Sequence, residues 1–490
     1  MKRNRPIRLA FVLPGLLAAA ACAPVRHDPA LSKDLPPILH RLEDSGAIVS
    51  ARVIELPSGR ELYAENADQP FTPASNMKLV VSAAALDALG RDFTYDTYLV
   101  RSGDDLWIVG TGDPALGDVR LANRHKRDPY GVLDEWARLL KRKGVTRIAG
   151  DLCYDESWFE MRQLHDDWSA RSRTEWYACP VSGLNFNDNC IDVTVTPADP
   201  GAPVSYSIAP PTQAVTIVNN CVSHGDGRPA DIVRDDTRNV FTLTGRATKR
   251  TELQSKPVTH PGLFLADAFR LALQKHGIDV AGNLRPISVR RDAHGAPRDG
   301  EILAVRQTPL ADVLWRTNTH SQNLFAECLA KTLGRQWAAS WWLRQPGSWD
   351  NARRAVPDRI RRLGVSTRGL TVADGSGLSR GNQVTARLLT DLLKVMHSHP
   401  DGAMYRESLS KVGVEGTLRN RMGDLKGRVF AKTGYIGSVR TLSGYVQTHD
   451  GKWLAFSFLY NRIPGSVKPF EELQDEAVRV LTEWSPGETE

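Results

Sequence analysis

Ser75-Asn76-Met77-Lys78 stands at the head of the apolar run 79–86, which predicts a helix with Ser75 at its start. Lys78 follows three residues later, so both side chains project from one face of that helix. A serine is a weak nucleophile until a base takes its proton. A lysine is such a base only when neutral, and burial moves its pKa in that direction. Alone, such a pair is more often a helix cap followed by a solvated lysine.

A second motif, Ser321-Gln322-Asn323, opens another predicted helix over 322–333. Ser321 has the position of an N-cap, which is its ordinary structural role. In a catalytic role its hydroxyl would relay a proton between a lysine and a leaving amine, and Asn323 would hold the lysine. The motif alone does not decide between these roles.

A third motif, Lys432-Thr433-Gly434, ends a predicted strand over 428–433. An ammonium and a hydroxyl fixed at this place bind a carboxylate, and Gly434 lets a substrate lie close to the strand edge. The alternative is an exposed strand end that finishes in a turn glycine.

The order S-x-x-K, S-x-N, K-T-G, placed on a helix, a helix start and a strand, is the arrangement of the penicilloyl-serine transferases. Here it resembles the class C low-molecular-mass penicillin-binding proteins, the D-Ala-D-Ala carboxypeptidase/endopeptidase family. The long separation between Ser75 and Ser321 is typical of this group. Four further stretches are similar to elements of the family: G-T-G-D-P-A-L at 110–116, D-G-S-G-L-S-R at 374–380, G-T-L at 416–418 and L-S-G-Y at 442–445.

The resemblance implies an α/β (α+β) fold, with a penicilloyl-serine transferase (β-lactamase/transpeptidase-like) domain that carries a large β-rich insertion. Residues 47–66 alternate as in a hairpin, and short strand-like runs fill 91–260. Helical periodicity then returns from about Pro261. The predicted organisation is a signal peptide at 1–21, a transpeptidase-like domain from 22–90 and 261–490, and a β-rich accessory region at 91–260, in one or two lobes.

The resemblance also implies a hydrolase, a serine-type D-Ala-D-Ala carboxypeptidase/endopeptidase that acts on peptidoglycan stem peptides and cross-links. β-Lactams would acylate it at the nucleophile, and it would need no metal or organic cofactor. The ratio of the two peptidase activities stays open. The resemblance implies that Ser75 is the nucleophile, Lys78 the general base and Ser321 the proton shuttle. Asn323 would position Lys78 and the acyl amide, and Lys432 and Thr433 would bind the terminal carboxylate. Gly434 would admit the substrate, and the N–H groups of Ser75 and Tyr435 would form the oxyanion hole.

The chain departs from the family pattern at two places. Gln322 stands where the family commonly has aspartate, and bulky Tyr435 follows the K-T-G motif where small or polar residues are frequent. Arg380 and Asp155 are candidates for reading the diamino-acid side chain of the substrate. Each also fits an ordinary loop salt bridge or turn.

Two other functions use the same residues. A β-lactamase needs fast deacylation, and no tyrosine of this chain has an asparagine two residues later, so the class C lactamase signature is missing. A non-catalytic envelope scaffold lipoprotein would keep the fold to bind peptidoglycan or partner proteins. The presence of every predicted catalytic residue opposes that alternative.

The N-terminus predicts export. A basic stretch at 2–8 precedes an apolar run at 9–21 that is too short for a permanent membrane span. Ala19-Ala20-Ala21-Cys22 resembles a lipoprotein cleavage site, with plain cleavage after Ala21 as the alternative. The predicted location is the periplasm, with an outer-membrane anchor if Cys22 is lipidated. The family resemblance is also compatible with a homodimer.

Charge gives little support to nucleic-acid binding. The net charge of the 490 residues is +7, and four of the positive charges lie in the first 21 residues, which leaves 7 − 4 = +3. A chain of this length predicts two or three domains.

Cysteines also bear on the accessory region, because four of the six lie between 153 and 221. Exported proteins meet oxidising surroundings, so one or two disulfides are predicted there, with Cys190–Cys221 as one candidate pair. None of the six has metal-site spacing. Cys328 lies in an apolar helical stretch and is predicted to be a buried thiol.

Overall fold

The computed structural model describes residues 28–340 and 345–486. The predicted signal peptide and Cys22 lie outside the described residues. Within those two ranges, no helix has the length and apolar character needed to cross a membrane.

The helices of the described chain are α1 Pro29–Asp34, α2 Pro36–Leu39, α3 Met77–Leu89, α4 Val119–Arg124, α5 Gly131–Arg142, α6 Pro261–Lys275, α7 Leu310–Thr319, α8 Asn323–Ser340, α9 Trp349–Arg362, α10 Ala386–Ser398, α11 Gly402–Glu407 and α12 Lys468–Glu483.

The strands are β1 Ile48–Leu56, β2 Glu61–Glu65, β3 Thr94–Ser102, β4 Asp105–Gly110, β5 Arg147–Ile148, β6 Leu152–Asp155, β7 Cys190–Thr196, β8 Ser205–Ala209, β9 Thr216–Asn219, β10 Val222–Ser223, β11 Asp231–Arg234, β12 Val240–Thr244, β13 Arg246–Ala247, β14 Thr251–Glu252, β15 Lys256–Pro257, β16 Asp279–Val280, β17 Leu284–Pro286, β18 Glu301–Pro309, β19 Ser410–Lys411, β20 Val429–Ile436, β21 Val439–Gln447 and β22 Trp453–Asn461.

The central sheet is antiparallel and is built from both ends of the chain, in the order β19-β20-β21-β22-β1-β2. β1 pairs with β22 along its whole length, from Ile48 opposite Asn461 to Leu56 opposite Trp453. The hairpin predicted over 47–66 is confirmed as β1 and β2. This pairing brings the segment before Ser75 beside the strand that carries the K-T-G motif.

Helices cover both faces of this sheet, because successive side chains of a strand point to opposite sides. Val53 and Phe458 lie in a core with α1, α2 and α12, whereas Ile54 and Leu459 lie in a core with α3, α8, α9 and α10. Residues 77–86 of α3 are buried all round, since α3 packs against α7, α8, α9 and α10. A helix that is buried on all sides carries Lys78 into the protein interior.

Smaller sheets form a second body after α3. A five-stranded sheet has the order β17-β6-β4-β3-β18, and other sheets join β14-β7-β15, with β8 on β7, and β11-β12-β9. Phe264 and Phe269 of α6 pack into the core of this body, together with Trp136 of α5. The predicted boundary at residue 260 therefore needs correction, because α6, β17 and β18 belong with the inserted sheets. We place the end of the insertion near Pro309.

The predicted disulfides are contradicted by the structure. All five cysteines of the described ranges are free and buried: Cys153, Cys179, Cys190, Cys221 and Cys328. Cys190 and Cys221 lie in different hydrophobic cores, so they are not placed to pair. Each behaves as a small apolar side chain. The prediction of a buried thiol at Cys328 is confirmed.

We expect these five thiols to resist alkylation in the folded protein and to react after unfolding without reductant. Burial removes access and raises the pKa of the Cys179 and Cys328 thiols, so little thiolate forms. Mass spectrometry of iodoacetamide-treated protein before and after guanidinium unfolding measures this. Peptides still joined by a disulfide after unfolding would contradict the assignment.

Candidate active site

Ser75 lies in the short 3-10 turn Ala74–Asn76 that leads into α3. Ala74 has a φ of 45°, a conformation that residues other than glycine rarely adopt. A Cβ atom on Gly377 would collide with the Ala74 carbonyl, so the D-G-S-G-L-S-R loop packs directly on this turn. Backbone strain of this kind persists only where the surroundings hold it, and it is common at reactive residues.

Lys78 is fully buried, and its amine has three partners. Lys78 Nζ lies 2.7 Å from Asn323 Oδ1, 2.7 Å from the Ser376 carbonyl oxygen and 2.9 Å from Ser75 Oγ. The first two are acceptors only. A neutral amine gives one N–H to each of them, and its lone pair then faces the Ser75 hydroxyl. The geometry therefore suits Lys78 as the base that receives the serine proton.

Asn323 is fixed in the orientation that this arrangement needs. Its Nδ2 donates to the carbonyl oxygen of Tyr177 at 2.7 Å, so its Oδ1 faces Lys78. Tyr177 belongs to the inserted region, which therefore helps to orient the asparagine that contacts Lys78.

Burial lowers the pKa of Lys78 to about 7, and the carboxylates of Glu327 and Asp374 oppose the shift. Glu327 accepts the N–H groups of Ser376 at 2.7 Å and Gly375 at 2.8 Å. It therefore fixes the peptide whose carbonyl holds Lys78. Sequence reasoning did not single out Glu327. The available signal was an acid one helical turn after Asn323, within the otherwise apolar stretch 324–330.

Ser321 lies between α7 and α8 with a φ of 59°, and its hydroxyl faces Lys432 rather than the helix. The distance from Lys432 Nζ to Ser321 Oγ is 2.8 Å. The alternative of a helix N-cap at Ser321 is contradicted, since α8 begins at Asn323, whose N–H donates to Gln322 Oε1 at 2.9 Å. Ser321 instead connects the S-x-N motif to the K-T-G motif.

Lys432 is buried, and its Nζ also donates to the Thr433 carbonyl at 2.8 Å. Burial, followed by the nearby charges of Lys78 and Arg440, holds its pKa well below the usual value. No carboxylate pairs with it among the residues that the structure describes. A bound carboxylate would supply that counter-charge and favour the ammonium form.

The edge of β20 is open beside these groups. β19 pairs only with Phe430 and Ala431, so within the described chain the edge beyond Ala431 has no strand partner on that side. A Cβ atom on Gly434 would lie 3.1 Å from the Ser75 backbone nitrogen, so glycine permits the close approach of β20 to the nucleophile turn. Tyr435 follows at this edge with 60% of its surface exposed.

Gln322 is explained by its neighbours. Its Nε2 donates to Asp188 Oδ2 at 2.7 Å, and Arg316 joins Asp188 to buried Asp118 at 3.0 and 2.7 Å. Burial, with a contribution from Asp118, raises the pKa of Asp188 to about 7. Aspartate at position 322 would add a third carboxylate to this cluster, whereas the glutamine amide donates to it.

Asp188 reaches Gln322 from an unusual turn of the insertion. All three residues of 187–189 have φ values between 51° and 54°. Asparagine and aspartate tolerate this left-handed conformation better than most residues, and the sequence here is Asn-Asp-Asn. No pattern in the sequence had linked this turn to the active site.

Asp155 does not face the cleft, which corrects the prediction for this residue. Its side chain is fully buried, and its Oδ2 pairs with Arg291 at 2.8 Å. The same carboxylate accepts the N–H groups of Ser157 and Val289. Its charge and its acceptor sites are already used inside the insertion.

Arg380 does lie near the substrate edge, because its guanidinium rests against Gly437 in the turn after β20. The carboxylate in its neighbourhood is that of Asp167, whose Oδ2 accepts a hydrogen bond from the Ser379 hydroxyl at 2.6 Å. Asp167 keeps 46% of its side-chain surface exposed. Sequence reasoning missed Asp167, because it lies in an irregular loop far away along the chain.

The family described as D-Ala-D-Ala carboxypeptidase 3 (S13) matches the chain over residues 31–483. The chain belongs to this family. It is 33% identical to a D-alanyl-D-alanine carboxypeptidase of Actinomadura sp. (strain R39), covering 88% of this chain and 81% of that protein. It is 27% identical to the D-alanyl-D-alanine carboxypeptidase DacB of Haemophilus influenzae, covering 78% and 79% respectively.

Solved structures show the same fold. The crystal structure of penicillin-binding protein 4 (dacB) from Haemophilus influenzae matches with a TM-score of 0.74 at 23% identity, covering 91% of this chain and 99% of that chain. Its complex with a novel β-lactam matches with a TM-score of 0.70 at 22% identity, covering 91% and 99%. The predicted family and fold class are confirmed. The chain is a serine D-Ala-D-Ala carboxypeptidase of the penicillin-binding protein family.

For this S13 carboxypeptidase we expect the acylation rate to rise with pH through about 7, as Lys78 loses its proton. Below that pH the lysine is an ammonium ion and does not accept the Ser75 proton, so the rate falls about tenfold per pH unit. Stopped-flow measurement of fluorescent penicillin acylation from pH 5 to 9 measures this. A rate that stays constant down to pH 5 would contradict Lys78 as the base.

We expect Gln322→Glu to slow acylation about tenfold, because it sets a second carboxylate against Asp188. Adding Asp188→Asn removes the repulsion and should restore most of the rate, so the two effects are not additive. Penicillin acylation of both single variants and the double variant measures the coupling. Additive losses would mean that the two side chains do not act on Asn323 together.

Proposed function

We propose that the three motifs act as one catalytic unit, with the terminal carboxylate of the substrate bound by Lys432 and Thr433. Lys432 is buried without a carboxylate partner in the described chain, and Thr433 Oγ1 lies 2.9 Å from Thr417 Oγ1 at the same place. The observation that carries the proposal is the hydrogen bonding of Lys78 to Ser75, Asn323 and the Ser376 carbonyl.

Acylation begins when neutral Lys78 takes the proton of Ser75 and the serine oxygen attacks the carbonyl carbon of the penultimate D-Ala. The carbonyl oxygen becomes negative, and the backbone N–H groups of Ser75 and Tyr435 stabilise it. The close approach of Gly434 to Ser75 supports this placement.

Departure of the amine needs a proton on its nitrogen. Ser321, whose Oγ lies 2.8 Å from Lys432 Nζ, gives its hydroxyl proton to the leaving amine and recovers the proton that Lys78 took from Ser75, so Lys78 is neutral again. Water then attacks the acyl-enzyme, with Lys78 again as the base, and the free serine is restored.

Side-chain recognition falls to Arg380 and Asp167. A diamino acid in the stem peptide ends in a carboxylate and an ammonium group, and an exposed arginine beside an aspartate offers one partner for each. Both residues lie along the D-G-S-G-L-S-R loop, near the end of β20.

Cross-link cleavage uses the same chemistry, with a peptide as the leaving group in place of free D-Ala. We propose that the enzyme acts as an endopeptidase as well as a carboxypeptidase. The open edge of β20 and the exposed approach at Tyr435 support access for a branched substrate.

A periplasmic location follows from the proposed export by residues 1–21, since stem peptides lie outside the cytoplasm. Cys22 is the proposed lipid anchor, with cleavage after Ala21 as the alternative. The intact mass of the mature protein separates them, because only the lipidated form carries acyl chains. The homodimer stays a prediction.

We expect Ser75→Ala to lose at least about a thousandfold of the activity on both a pentapeptide monomer and a cross-linked dimer. Chromatography of the released D-Ala and peptides measures both reactions in one digest. Penicillin should leave an adduct on the wild-type Ser75 peptide and none on the variant. Nitrocefin turnover of several molecules per enzyme per second would favour a β-lactamase instead.

We expect Arg380→Ala to lower kcat/KM about tenfold on a peptide with a free diamino-acid end, because one charge-assisted contact is lost. The same peptide with a capped side chain should lose little, and penicillin acylation should be unchanged. Arg298→Ala is the matched control, since it removes an exposed arginine of the inserted region. An equal loss on both peptides would contradict the assignment.

A further inference from the structure

The leaving-group side of the site continues past Ser321 into side chains that the steps above do not use. His320 precedes Ser321, and its ring packs against Trp315 with the centroids 4.4 Å apart. Trp315 Nε1 donates to Glu415 Oε2 at 3.3 Å. Glu415 directly precedes the turn that holds Thr417. This group is therefore continuous with both the proton shuttle and the carboxylate site.

One arginine of α4 stacks on this group, and a second lies near it. The guanidinium carbon of Arg124 is 4.2 Å from the centre of the Trp315 ring, and Arg120 lies one turn earlier on the same helix. Both arginines are exposed. In the described part of the chain neither forms an ion pair with a carboxylate.

The charges of Arg120 and Arg124 act on His320, which directly precedes Ser321. Burial, followed by Arg316, Arg120 and Arg124, lowers the pKa of His320 to about 3, so this histidine is neutral at physiological pH. His320 therefore adds no positive charge to this side of the site.

The direction in which the substrate lies in the cleft determines which of its groups comes close to Arg120 and Arg124. In the proposed binding mode the acyl part runs along β20 towards Tyr435 and Arg380, and the bound carboxylate lies at Lys432 and Thr433. Whatever follows the leaving amine must continue the other way, past Ser321 towards Trp315. Free D-Ala ends at the carboxylate site, whereas a leaving peptide extends further and carries additional carboxylates.

We propose that Arg124, stacked on Trp315, and the neighbouring Arg120 form a subsite for a carboxylate of the leaving peptide during cross-link cleavage. The inference rests on the proposed endopeptidase action. An arginine stacked on an aromatic ring keeps its N–H edges available for a bidentate carboxylate contact. Free D-Ala does not reach this subsite. The subsite therefore increases the rate on cross-linked substrates and does not change the rate of the carboxypeptidase reaction.

The test compares two substrates, a monomeric pentapeptide that ends in D-Ala-D-Ala and a cross-linked peptide dimer. The double variant Arg120→Ala/Arg124→Ala should lose about tenfold in kcat/KM on the dimer and less than about twofold on the monomer. Arg124→Lys, which keeps the charge, should retain part of the dimer activity. Arg127→Ala is the matched control, since it removes an exposed arginine just beyond α4 that does not contact Trp315.

Fluorescent penicillin labelling of each variant confirms that the catalytic residues remain in place. A parallel loss on both substrates would show a structural role and overturn the proposal, as would unchanged rates on both. If the wild-type enzyme leaves the dimer intact while cleaving the monomer, the proposed endopeptidase action fails, and the subsite with it. These outcomes are distinguishable because the monomer and the dimer are measured in the same preparation.

Discussion

A neutral lysine in a buried position is the constraint on which the site depends. Lys78 has two oxygen acceptors that can only accept, and these use both of the N–H groups of a neutral amine. Burial of α3 on all sides keeps water away and disfavours the ammonium ion. The carboxylates of Glu327 and Asp374 raise the pKa of Lys78, so burial lowers it only to about 7. A base poised near neutral pH is what proton transfer from Ser75 requires.

The rest of the fold places partners around that amine. Both ends of the chain join in one sheet, which sets the K-T-G strand beside the Ser75 turn. The insertion is part of the same arrangement, since the Tyr177 carbonyl orients Asn323 and Asp188 holds Gln322. Through these hydrogen bonds the inserted region holds the S-x-N motif, residues 321–323, in position. In the proposed binding mode, Arg380 lies on the acyl side of the cleft and the arginines of α4 lie on the leaving side.

The sequence predicts most of the side chains that meet at the candidate site, because the three motifs are short local patterns. Their contexts, a helix start, an inter-helix turn and a strand, are set by nearby residues. Asp155 was misplaced because nothing local shows that Arg291, far along the chain, neutralises it. The boundary at 260 was misplaced because periodicity shows that α6 is a helix but not which core it enters. The disulfides failed since oxidising surroundings permit a bond only between cysteines that the fold brings together.

The most direct test of the central claim is the titration of Lys78 itself. Carbon-13 labelling of lysine side chains at Cε, with Lys78→Arg to assign the signal, follows one amine by nuclear magnetic resonance. We expect Lys78 to titrate near pH 7, more than two pH units below an ordinary lysine. A Lys78 signal that titrates together with the surface lysines near pH 10 would show an ammonium ion at neutral pH and contradict its role as the base.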